Sequence, residues 1–170
     1  MPGPDFGDAF GHHIWATLRV IEVCTSLNQD QLASPVPGTY GSILHTMRHI
    51  VGSDAWYLFV ISEGRVPQID EETMDLDELR VAIVDHGAGW SSILGEGRDP
   101  GTEIVAHRQD GSTSHAPLGI RLAQALHHGT DHRSQICTGL TALGLEPPDI
   151  DVWAFGEEAG RVFEGSAPEA

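Results

Sequence analysis

Residues 122–148 read LAQALHHGTDHRSQICTGLTALGLEPP, and this stretch decides the fold. From Pro117 onward Leu118, Leu122, Ala125, Leu126, Ile136, Leu140 and Leu143 recur at helical spacing and mark one apolar stripe. Gly144 stops the pattern, and Pro147 and Pro148 stand just beyond it. Inside this helix His128 and His132 are four residues apart, so they leave one face with Cβ atoms about 5–6 Å apart. Two imidazoles at that spacing can bind one transition metal without disturbing the helix. Both lie on the flank of the stripe, beside Gly139, where ligands from facing helices can meet across a groove. His127 and Asp131 point more outward, and Asp131 could take a hydrogen bond from a ligand imidazole.

A third ligand must come from elsewhere, and ILHTMRHIVGSDAWYLFVI (43–61) offers candidates. Thr39 or Ser42 can cap this second helix. It is apolar nearly all round, which predicts a central helix packed on several sides. Opposite its main stripe of Leu44, Met47, Val51 and Leu58 run His45, His49, Gly52, Trp56 and Val60. That second stripe reads as a groove wall, with Trp56 expected to be at least partly buried. A solvated histidine pair is the competing reading. Three or four histidines at ligand spacing, on helices expected to pack together, favour metal.

The rest of the chain completes an all-α reading. A first helix is expected over 6–27, with Phe10, Ile14, Thr17, Leu18, Ile21 and Cys24 on one face. Prolines and glycines in LASPVPGTYGS (32–42) break it. The acidic run DEETMDLDEL (70–79) suits a helix N-terminus, and a third helix over 75–95 should turn Leu76, Leu79, Ile83, Val84 and Trp90 inward. Residues 102–117 read as a small β-hairpin about Asp110-Gly111, outside the bundle. A short C-terminal helix around 150–163 carries Val152, Trp153, Phe155, Val162 and Phe163. The expected fold is an antiparallel four-helix bundle in a single domain over 1–170, with that hairpin before the last long helix.

With 25 acids against 9 bases the formal charge is −16, which excludes a nucleic-acid groove and an anionic membrane surface as partners. MPGPDFGDAF has neither the basic nor the apolar part of a signal peptide, and no apolar run approaches the roughly 18–20 residues of a membrane span. Cys24 and Cys137 form no CxxC and read as reduced, buried thiols, so a cytoplasmic protein is expected. Gly129 stands where a metalloprotease HExxH helix carries its glutamate, so that chemistry is disfavoured. Glu-x-x-His pairs for a di-iron site are absent, as are a P-loop and a GxGxxG after a strand. Ser112, Thr113 and Ser114 near His115 are better explained by a turn than by hydrolysis.

Two segments resemble the DinB/YfiT-like family. LAQALHHGTDHRSQICTGLTALGLEPPDIDVWAF (122–155) is similar to its closing helix and tail, where a histidine, three residues and His-Arg-Gly-Gln precede a Leu-rich run and Gly-x-x-Pro-Pro-x-x-Asp. ILHTMRHIVGSDAWYL (43–58) is similar to its second helix. The resemblance implies a four-helix bundle with a three-histidine divalent metal site. By motif position the ligands would be His49, His128 and His132. It further implies zinc, nickel or iron as the metal, a homodimer, and transferase or isomerase chemistry on a small-molecule substrate with a low-molecular-weight thiol. Ser134 stands where the family commonly has glycine, a change that leaves the ligand spacing intact.

A metal held by three imidazoles, with a position left open, lowers the pKa of a bound thiol or water and makes a nucleophile near neutral pH. Thiol transfer and metal-dependent hydrolysis both follow from that principle. A non-catalytic metal-holding scaffold or sensor is the alternative, since the motifs offer no clear general base. Arg133 could hold a substrate carboxylate, meet a partner's helix or form a surface or interhelical salt bridge. His13 on the first helix could approach the site, with no sequence signal to fix its direction. The apolar second helix and the aromatics Trp153, Phe155 and Phe163 suggest surface for a dimer to cover.

Overall fold

A computed structural model describes residues 6–108, 110–163 and 165. The helices are α1 (Gly7–Cys24), α2 (Gln29–Ala33), α3 (Ile43–Ile61), α4 (Leu76–Gly95), α5 (Leu118–Ala142) and α6 (Val152–Glu158). A 3-10 turn at Glu71–Thr73 precedes α4, and strands β1 (Glu103–His107) and β2 (Thr113–Pro117) precede α5. The structure is therefore mostly helical with one small antiparallel sheet.

Local chemistry explains where these elements begin and end. The Ser42 hydroxyl accepts from the His45 N–H and starts α3. Asp75 and Glu78 form a reciprocal capping box that starts α4, and Asn28 with Gln31 does the same for α2. Gly144 closes α5 with φ +76°, a conformation that favours glycine.

Packing divides into three levels. One apolar cluster gathers Val20 and Ile21 of α1, Met47 and Ile50 of α3, Ile83 of α4 and Leu140 of α5. A second gathers Phe10 of α1, Leu58 of α3, Trp90 of α4 and Leu122 of α5. Between them every long helix carries a buried polar side chain: His13, Asp54, His86 and Arg133. Along α1 and α5 the second cluster is met before the first; along α3 and α4 the order is reversed. The long helices thus run as two pairs of opposite sense, with α3 and α4 pointing the same way. The 62–75 connection makes this possible. A helix of 19 residues is about 28 Å long, and fourteen extended residues span more than about 40 Å.

Several expectations need adjustment. Val84 is 52% exposed, because the inward stripe of α4 is Leu79, Ile83, His86 and Trp90, and Val84 lies about 100° past Ile83. The hairpin is packed in: Ile104 and Ala106 are buried in the second cluster, and the Arg121 guanidinium donates to the Ile104 and Ser114 carbonyls. The C-terminal helix folds back, with Phe155 against Trp15 and His12, while Trp153 and Phe163 stay exposed. Trp56 is partly buried, as expected. No helix among the described residues is long and apolar enough to cross a membrane.

Candidate metal centre

Helices α3 and α5 pack along their length, and the histidine flank of each faces the other. One ligating nitrogen from each of His49, His128 and His132 lies within 4.8 Å of the other two. Nε2 of His128 and Nε2 of His49 are 3.0 Å apart. The three rings meet edge to face, with interplanar angles of 61°, 89° and 67°, so none stacks on another. Nitrogens that each sit about 2.0–2.2 Å from one ion must approach one another to about 3–3.5 Å; His49 and His128 already stand at that spacing, and the three together could hold one divalent transition metal. Among the described residues no fourth His, Cys, Asp or Glu joins this cluster.

The surroundings favour the neutral form of His128 and His49 and orient His132. His128 is held down to about pKa 4 by burial first, then by the neighbouring His132 and His49, which together outweigh Asp131 and Asp54. Burial, His132 and His45 lower His49 as well. Neutral imidazole is the form that ligates. Nδ1 of His132 lies 3.2 Å from Oε1 of Gln135, which also accepts from the Tyr40 N–H at 2.8 Å. A proton on that Nδ1 leaves Nε2 of His132 free as a donor to metal. Tyr40 stacks on His49 at 3.9 Å and meets His132 edge-on, so the 34–42 loop forms one wall of the site.

Each residue singled out from the sequence has a definite place. His45 is exposed and touches Tyr40 rather than joining the cluster. His127 and Asp131 are exposed, and Gln135 takes the hydrogen-bonding part considered for Asp131. Gln135 was legible as the last member of His-Arg-Ser-Gln. Tyr40 carried no spacing signal, because it reaches the site from a loop.

Arg133 and His13 are both buried and bond to one another. Arg133 is 1% exposed and donates to Nδ1 of His13 at 3.1 Å and to the hydroxyls of Thr17 and Thr130. That leaves the proton of His13 on Nε2, which donates to Oδ1 of Asp54 at 3.0 Å. The Trp90 indole N–H is shared between both Asp54 oxygens, and Nδ1 of His86 lies 3.0 Å from Oδ2. Burial raises the Asp54 carboxyl, but His13 and His86 outweigh it and hold the group well below the usual carboxylate range. Burial pushes Arg133 down to about 10, which keeps it charged at neutral pH. A β-carbon on Gly129 would come within 2.4 Å of the His13 ring, so glycine is what admits His13 to this face of α5.

Comparison with known proteins agrees with this layout. A search of curated proteins finds no match. The family model described as "DinB family" matches residues 5–165. That match takes in every long helix, both histidine segments and the hairpin, and the chain belongs to the DinB family.

Proposed function

We propose that this chain is a metal-dependent enzyme that activates a small-molecule thiol, with His49, His128 and His132 as the metal ligands. The observation that carries the reading is the convergence of three imidazoles with no fourth protein ligand of the usual kinds among the described residues. Bound there, a zinc, nickel or iron ion would supply Lewis acidity that favours the anionic form of a thiol or water. The chain's own residues do the rest. Gln135 fixes the His132 tautomer, and Tyr40 holds the His49 ring and shields one side from solvent. The protein's own thiols are unsuited to the reactive role. Burial raises the Cys24 thiol to about 12 and raises that of Cys137 too, so the thiol would come from a low-molecular-weight cofactor.

In this reading the four long helices form one rigid bundle and one domain, working in the cytoplasm on a small molecule. A homodimer would cover Trp153 and Phe163; α3 no longer argues for it, since α2, α4, α5 and the 71–73 turn cover that helix. Hydrolysis and a non-catalytic metal-holding scaffold are the competing outcomes. The test is metal analysis of protein purified without a histidine tag, followed by a thiol-substrate screen with the metal found. His128→Ala should abolish metal loading and activity together. Activity that survives this change at full rate makes the metal non-catalytic and the scaffold the better account.

A further inference from the structure

A cavity opens between the 66–74 segment and α4, with a volume of about 630 Å³, and none of His49, His128 and His132 lines it. That size lies within the range of small-molecule sites. Its walls are apolar, formed chiefly by Val66, Ile69, Met74 and Val81. Its polar groups are of one kind: Asp77, Glu78 and Asp85 at the exposed rim, with no lysine or arginine among the lining residues. At the base is His86, which is 4% exposed.

His86 is a buried polar side chain whose bonding is incomplete. Its Nδ1 is 3.0 Å from Oδ2 of Asp54 but off the line of a well-directed hydrogen bond. Among the described residues no group bonds its Nε2. With the Asp54 carboxylate on one side of the ring, the proton belongs on Nδ1 and the Nε2 lone pair is left to accept. Nε2 is not sealed from solvent, and a ligand N–H entering from the cavity could take the place of water on it. The charges on both sides, Asp54 beneath the ring and the rim acids above, favour a donor that carries positive charge.

We propose that this cavity binds a small amphiphilic amine, whose apolar body lies against Val66, Ile69, Met74 and Val81 and whose ammonium donates to Nε2 of His86. The site is separate from the metal centre and does not depend on the function assigned there. Isosteric probes test it: octylamine, octanol and octanoate, each titrated calorimetrically into the full chain at neutral pH. Octylamine should bind at one site at least about tenfold tighter than octanol, and octanoate should bind no tighter than octanol. The ring-nitrogen resonances of His86 should move on adding octylamine. Val81→Arg changes an exposed helical position and places a cation at the mouth, so it should weaken octylamine by about tenfold or more while thermal unfolding stays in place. Asp77→Asn with Asp85→Asn should weaken it about three- to tenfold. Equal affinity for the amine and the alcohol, binding indifferent to Val81→Arg, or no saturable binding of octylamine at millimolar concentration would each overturn the proposal.

Discussion

Two groups of histidines sit on the same helices and behave as opposites. His49, His128 and His132 lie half-buried on one flank, face one another, and have no carboxylate among them. His13 and His86 lie fully buried at mid-height, each within 3.0 Å of the Asp54 carboxylate. Helical position brings imidazoles together in both places, but their partners decide what they can do. His13, between a buried anion and a guanidinium, has its lone pair and proton committed and serves as a joint between helices, while His86 is tied to the same anion on one side only. Imidazoles that face one another with no directly bonded anion keep lone pairs to offer, and His128 and His49 resist protonation. The first arrangement stores polarity inside the fold; the second is ready for a cation.

That contrast can be broken by paired substitutions. Asp54→Ala leaves the Arg133 guanidinium buried without its counter-charge and two histidines without their acceptor. Urea unfolding should show a loss of about 3–5 kcal/mol. His128→Ala removes a half-buried ring, and the same measurement on metal-free protein should move by no more than about 1 kcal/mol. Similar losses for the two variants would erase the distinction between joint and site.

Gln135→Leu sharpens the comparison on the metal side. Loss of the carbonyl that fixes the His132 tautomer should weaken metal binding about 10–100-fold by competition against a chelator, with little change in unfolding. Unchanged affinity would mean that Gln135 serves only to hold Tyr40. Gly129→Ala probes the other side from the same helix. Its β-carbon would strike the His13 ring and the Arg133 guanidinium, so a destabilisation of about 1–3 kcal/mol is expected, with metal affinity nearly preserved.

How much of this the sequence disclosed follows from the range of its signals. Periodicity marked the long helices because each repeats an apolar stripe over several turns. Asp110-Gly111 announced the hairpin, and Gly111 indeed has φ +82°. The cluster of His49, His128 and His132 was readable because two of its histidines share one helix and the family motif pointed to the third. α2 was missed because five residues are too short for a period, although Asn28 and Gln31 spell a capping box. The Asp54 network was missed for a different reason. Its members come one from each long helix, and no local spacing joins His13, Asp54, His86 and Arg133. For Arg133 the sequence left a substrate carboxylate, a partner's helix and a surface or interhelical salt bridge open, and only packing shows it enclosed.

Acid should separate the two groups most finely, in metal-free protein. His128 and His49 have folded pKa values below the ordinary 6.5, His128 at about 4. Between those two values the unfolded chain takes up protons that the folded chain refuses. Their contribution is therefore complete above about pH 6.5, is lost as the pH falls toward 4, and changes no further below that. Asp54 is depressed from its ordinary 3.8, so its contribution is complete above that value and is lost only as the pH falls below it. Unfolding midpoints should fall gently between about pH 6.5 and 4, then more steeply in stronger acid. The upper slope is the smaller effect, because water reaches the half-exposed flank and screens the charge. His128→Ala should flatten that upper slope and leave the lower one unchanged. If the slope above pH 4 is the same in His128→Ala, protonation of the flank is not what the folded state resists, and the half-buried triad is no more poised for a cation than the histidines around Asp54.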